Sequence, residues 1–147
     1  MATINGCEVP ENLYYFLEKH CWALPLGDGK VRVGMTIVAT KMAGNLTAVT
    51  PRSKKIGSEL ERGKSIGTME SSKYVGPVPT PVTGTLVSVN EAIKDNPNLV
   101  VVDPYDKGWV AEFDVPDWDT QKEELLTGEV AVNAYQQFMA DEGFSCS

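Results

Sequence analysis

The chain has 147 residues, the length of one domain. Hydrophobic residues make up 42% and charged residues 22%, ordinary proportions that exclude a disordered chain, a collagen-like repeat and a coiled coil. Twenty acidic against thirteen basic side chains give a net charge of −7, which argues against binding to nucleic-acid phosphates and for docking onto basic protein surfaces.

Along the chain, residues 10–20 read as a first helix. Leu13, Phe16 and Leu17 recur at helical spacing, and Glu11 stands near the start, where the helix dipole favours an acid. A hairpin follows: residues 21–26 and 30–34 flank Gly27-Asp28-Gly29, whose glycines permit the positive φ of a tight turn. Residues 36–43 form one or two helical turns ended by Gly44-Asn45. Leu46, Ala48 and Thr50 alternate with Thr47 and Val49, as a strand does. From residue 54 to 89, Gly57, Gly63, Gly67, Gly76 and Gly84 separate pieces too short for helices. Pro77, Pro79 and Pro81 fall on alternate positions, so their missing amides share one side of an extended strand, which suits a sheet edge.

Residues 85–89 read as a strand, with Leu86 facing opposite to Thr85, Val87 and Val89. Residues 90–96 form a turn or short helix broken by Pro97, and residues 99–102 are a short apolar run. Trp109, Ala111, Phe113 and Val115 share one strand face, which places Trp109 in the core and predicts a cost of ~3–5 kcal/mol for Trp109→Ala. Asp119 or Thr120 caps a short helix through Leu126. Thr127 caps a longer one with Val130, Ala134 and Phe138 on one stripe, Ala131, Tyr135 and Met139 beside it, and Gly143 as its stop.

No apolar run approaches the ~20 residues of a membrane-spanning helix. Residues 1–10 lack the basic and apolar stretches of a secretory signal, so the cytoplasm is the expected compartment. Cys7, Cys21 and Cys146 are odd in number and show no CxxC spacing; the expectation is two unpaired thiols near the termini and one partly buried thiol, without a zinc site. His20 is the only histidine and adjoins Cys21, but neighbours on a strand point to opposite faces, so it reads as structural. Phosphate-binding glycine loops are absent, and Glu123-Glu124 reads as a solvated helix face. No catalytic residue is assigned. One segment stands apart: Lys73 occupies a short polar turn between two extended arms, exposed and reachable by a modifying enzyme.

This stretch, Glu70-Ser71-Ser72-Lys73 followed by Pro81-Val82-Thr83-Gly84, resembles the lipoylation site of the glycine cleavage system H protein family, where E-S-x-K precedes P-V-S/T-G. The resemblance extends to His20-Cys21-Trp22 (the family's H-E-W), to residues 31–36 (a strand ending V-G-I-T), and to residues 87–92 (V-x-V-N-E-A). It continues through residues 103–109 (D-P-Y-x-x-G-W) and reaches Leu125-Leu126 with Ala134-Tyr135. It implies a mainly β fold, a barrel-sandwich hybrid with peripheral N- and C-terminal helices, as one lipoyl-carrier domain over 1–147. The core is then about 20–116 and the helical C-terminal part about 117–143. It implies lipoate in amide linkage on Lys73, with Glu70 and Gly84 presenting the turn to the lipoylating enzyme.

Departures point to one branch. Where the family continues I-T-D-Y/F-A, this chain has Met35-Thr36-Ile37-Val38-Ala39, and the small residues after the lysine become Tyr74 and Val75. These features resemble the H-protein-like lipoate-binding proteins of heterodisulfide-reductase-like sulfur oxidation. The expected function is therefore a non-catalytic carrier whose lipoyl arm shuttles sulfur-bound intermediates with such a complex. The alternative is a glycine cleavage H protein carrying an aminomethyl group, with glycine decarboxylase-type partners. An unmodified binding module ranks behind both, a biotin carrier and a free-standing enzyme last. A dihydrolipoyl dehydrogenase-type flavoprotein is a further expected partner, and a monomer the expected state.

Overall fold

The computed structural model describes residues 2–146; Met1 and Ser147, the ends of the expected domain, lie outside the described residues. A hairpin of β1 (Ala2–Ile4) and β2 (Cys7–Val9) opens the chain, followed by β3 (Tyr14–Phe16), β4 (Cys21–Gly27) and β5 (Lys30–Met35). Then come α1 (Ile37–Ala43), β6 (Leu46–Pro51), β7 (Glu59–Leu60), β8 (Ser65–Ser71), β9 (Val75–Pro79) and β10 (Gly84–Val89). α2 (Ala92–Asp95), α3 (Leu99–Val102), β11 (Ala111–Asp114), α4 (Trp118–Gln121), β12 (Leu126–Thr127) and α5 (Gly128–Glu142) complete it.

The strands make a seven-stranded antiparallel sheet in the order β12-β3-β4-β5-β11-β10-β7 and a three-stranded sheet in the order β6-β8-β9. The fold is mainly β, of the barrel-sandwich kind, with helices at the periphery. Val31, Val33, Ile66, Val78, Leu86 and Phe113 belong to one buried cluster that draws on both sheets. A second cluster lies under α5, where Cys7, Val9, Tyr15 and Trp22 meet Tyr135 and Met139.

The β4–β5 hairpin forms as its sequence requires, with φ of 98°, 55° and 76° at Gly27, Asp28 and Gly29. Across it Trp22 pairs with Gly34, and a Cβ on Gly34 would stand 2.6 Å from the indole ring. The indole N–H donates to the carbonyls of Met35 (3.0 Å) and Pro104 (3.1 Å). Tyr105 donates to Glu8 O at 2.7 Å and accepts the Ile37 N–H at 3.1 Å, and the Asn90 amide donates to Lys107 O and Trp109 O. The motifs outside the lysine turn are thus the fixings of the scaffold.

Four sequence expectations are corrected. Residues 10–20 do not form a helix: Tyr14-Tyr15-Phe16 pairs with β4 and β12, and only Leu17–Lys19 winds into a 3-10 turn, ending at His20 with φ 55°. The aromatic run has strand preference, and cross-strand partners prevailed over the helical spacing. The short helix expected through Leu126 ends early, at Gln121, with a 3-10 turn over Lys122–Glu124 before β12. Trp109 lies before β11, half-buried under the Arg32 guanidinium, 4.8 Å from the ring centroid; Trp22 is the tryptophan with no exposure. Finally, Cys7 and Cys146 are joined in a disulfide with Cα atoms 5.1 Å apart, and Cys21 is wholly buried. The β1–β2 hairpin meets the segment after α5, where Cys146 N–H donates to Asn5 O at 2.9 Å, so two distant thiols become neighbours. In α5 the buried stripe is Ala131, Tyr135 and Met139, while Val130 is exposed.

Candidate functional site

Along β8 the burial alternates: Ile66, Met69 and Ser71 face inward, Thr68 and Glu70 outward. β9 pairs back with Glu70 opposite Val75 and Met69 opposite Gly76. Pro77 and Pro79 lie on this edge strand, whose outer side pairs with no strand among the described residues. Residues 72–74 bridge the arms and place Lys73 in solvent.

Ser71 braces the turn. Its N–H donates to Tyr74 O at 2.7 Å, its buried hydroxyl donates to Ala43 O at 2.6 Å, and the Ser71 Oγ accepts the Lys73 N–H at 3.4 Å. The last turn of α1 is thereby tied to the hairpin tip. Gly44, which ends α1 with φ 91°, is where the lysine stem crosses: a Cβ there would stand 2.7 Å from Lys73 Cε. Lys73 is exposed and in no ion pair among the described residues.

Beside the tip is a cavity of ≈ 470 Å³ lined by Tyr74, Met42, Ala39, Met69, Lys19 and His20, among others. His20 Nδ1 and the Tyr135 hydroxyl share a hydrogen bond at 3.4 Å, and burial lowers the pKa of the imidazole. Cys21 turns into the core, where burial pushes its thiol pKa up, so His20 and Cys21 make no nucleophile–base pair. Among the described residues no group of three His, Cys, Asp or Glu could hold a metal. No helix among the described residues is long and apolar enough to cross a membrane.

Glu70 is exposed on the outer face of β8, and its carbonyl accepts from the Thr47 hydroxyl at 3.3 Å. Gly84 is buried at the start of β10 in the other sheet, opposite Leu60. A Cβ there would run into the Asp114 carbonyl and stand 3.0 Å from Val115 Cγ2. The hairpin thus unites Lys73 with Glu70, while Gly84 answers to close packing of β10 on β11. Sequence reading missed the Ser71 brace, the Gly44 seat and the cavity. Ser71 was in view as part of Glu-Ser-Ser-Lys, but its bond to Ala43 spans 28 residues and has no spacing signal.

A family model described as glycine cleavage H-protein matches residues 13–140. The chain is 41% identical over 150 residues to glycine cleavage system H protein 5 of Aquifex aeolicus, covering 99% of each chain. It is also 41% identical over 148 residues to probable glycine cleavage system H protein 2 of Sulfurisphaera tokodaii, covering 99% of this chain and 98% of that one. The crystal structure of a glycine cleavage system H protein from Mycobacterium marinum matches with a TM-score of 0.70 and 32% identity, over 92% of this chain and 100% of that one.

Proposed function

The chain belongs to the glycine cleavage H-protein family, and on that premise we propose that Lys73 carries lipoate in amide linkage and that the chain shuttles a group on the lipoyl sulfur between partner enzymes. Proteins of this family are carriers, not catalysts, and bear lipoate covalently on a lysine. The observation that carries the reading is an unpaired, exposed lysine at the tip of a hairpin clamped by Ser71, its stem seated on Gly44.

Attachment forms one amide bond between Lys73 Nζ and the acyl carbon of activated lipoate; the activating group leaves and Nζ gives up a proton. Bound lipoate would supply a disulfide open to a thiolate or carbanion, the attacked sulfur taking the incoming group and the other sulfur leaving as a thiolate. Every other step depends on display. Ser71 holds the tip in place, the prolines of β9 keep its edge from pairing with other chains, and the cavity beside Tyr74 offers the arm an apolar wall of Ala39, Met42 and Met69. Glu70 and Gly84 serve recognition by the lipoylating enzyme, Glu70 directly and Gly84 by allowing β10 and β11 to close up.

The relatives' names support the aminomethyl cargo of glycine cleavage, with glycine decarboxylase-type partners and a dihydrolipoyl dehydrogenase-type flavoprotein. A second reading, sulfur cargo for a heterodisulfide-reductase-like complex, is favoured by Ile37 and Val38 standing where the family has an acid and an aromatic, and by Tyr74 beside the tether. We read residues 1–147 as one monomeric carrier domain of the cytoplasm.

Intact-mass measurement of the chain, expressed with a lipoylating system, should show a lipoyl increment that Lys73→Arg removes. A wild-type chain that never gains it overturns the carrier reading and leaves an unmodified binding module. Loading by a pyridoxal-phosphate glycine decarboxylase selects the first cargo. Turnover with the heterodisulfide-reductase-like complex selects the second.

A further inference from the structure

The cations of this acidic chain are unevenly placed. Among the described residues Lys30, Arg32, Arg62 and Lys122 are neutralised by Asp114, Glu112, Glu124 and Asp119. Among the described residues the other nine cations are in no ion pair, and four of them, Arg52, Lys54, Lys55 and Lys94, line one groove of ≈ 560 Å³ in which Glu91 is the single lining carboxylate.

The groove is built by the fold. After β6, the chain turns at Pro51 into a 3-10 turn over Ser53–Lys55, held by Lys55 N–H to Arg52 O at 2.9 Å and Ile56 N–H to Ser53 O at 3.2 Å. Arg52 is pinned to β8, its N–H donating to Ile66 O at 2.9 Å and its guanidinium to Ser65 O at 3.3 Å. On the other side α2 packs its buried Ile93 into the core and presents Lys94 outward. The floor is Thr50 and Thr68, exposed and directly opposite each other on β6 and β8. Thr68 shares its strand face with Glu70. It lies five residues before Lys73, at most about 17 Å at ~3.3 Å per extended residue.

We propose that this basic groove is a docking site for an acidic face of the enzyme that lipoylates Lys73. The inference rests on the carrier reading above. A chain of net charge −7 repels an acidic partner at long range, whereas the groove sets four cations without an ion pair against one carboxylate and so offers such a partner local attraction. An encounter steered there arrives on the outer face of the hairpin, with Glu70 and the lysine turn within reach. A duplex nucleic acid is a poorer fit, because its charges extend past the groove, one per ~1.7 Å, over a surface that is acidic overall.

The test uses the full, unlipoylated chain with its cognate lipoate ligase, lipoate and ATP, read by intact mass. Lys54→Glu/Lys55→Glu/Lys94→Glu is compared with wild type and with Lys107→Glu, an exposed cation outside the groove. At low salt the triple variant should lose about tenfold or more in kcat/KM, chiefly through KM, while Lys107→Glu should stay near wild type. The gap should close as salt shortens the screening length. Lys54→Glu alone should lose a smaller part of the rate, which guards against a folding defect in the triple variant. Wild-type kcat/KM and wild-type salt dependence in the triple variant would overturn the docking site while leaving the carrier reading intact. No lipoyl increment on the wild-type chain overturns both. Binding of a double-stranded oligonucleotide that the triple variant abolishes would reassign the groove to a polyanion and overturn it as well.

Discussion

Ser71 decides how well the lysine is held. Its hydroxyl is the buried partner of Ala43 O, and removing it leaves a carbonyl at the end of α1 without its donor. Ser71→Ala should cost about 1–3 kcal/mol in urea denaturation and slow lipoylation of Lys73. Lys73→Ala, by contrast, removes an exposed side chain and should stay within about 0.5 kcal/mol of wild type; a larger loss would mean the stem contributes packing on Gly44. His20 adds a pH term. Burial lowers its folded pKa below the ordinary 6.5, so the unfolded chain binds the proton more readily. The resulting stability is fully present above pH 6.5 and is lost as the pH falls from there through the folded pKa. Melting temperatures should therefore drop over that window, and His20→Gln should flatten the drop.

At the scale of elements, the β4–β5 hairpin anchors the second core. Trp22 is wholly buried, with its indole N–H satisfied by two carbonyls, and Gly34 opposite leaves the ring its space. Trp22→Ala should cost about 3–5 kcal/mol. Trp109→Ala should cost less, about 2 kcal/mol, since that ring is only partly buried, packed against the edge of the second core under the Arg32 guanidinium. Equal losses in chemical denaturation would contradict this division. Helical spacing misled once: Leu13, Phe16 and Leu17 match a helix only until cross-strand partners are counted. In α5 the spacing held, and the hairpin it covers selects Ala131, Tyr135 and Met139 as the buried stripe.

Across the whole molecule, the Cys7–Cys146 disulfide closes a loop of sequence separation 139 and locks the first hairpin to the segment after α5. In the chain-entropy account such a link is worth up to about 5 kcal/mol. Reduction, or Cys7→Ser, should lower the denaturation midpoint accordingly while leaving the lysine hairpin, in a different sheet, competent for lipoylation. Loss of modification on reduction would show that the two ends of the fold are coupled.

The turns, the edge strand and the lysine were legible because each is a local matter. Gly27-Asp28-Gly29 bends wherever it occurs, prolines on alternate positions bar pairing on one side, and a polar Glu-Ser-Ser-Lys between two extended arms projects its lysine. The ordered motifs also carried the family, because Trp22, Gly34, Asn90 and Tyr105 are the joints of the scaffold. Assembly alone decided that Cys7 would meet Cys146, that Ser71 would reach Ala43, and that Lys94 would join Arg52, Lys54 and Lys55 in one groove. These pairings join residues far apart in the chain, and their energy exists only once packing has brought them together, so no spacing in the primary structure records them.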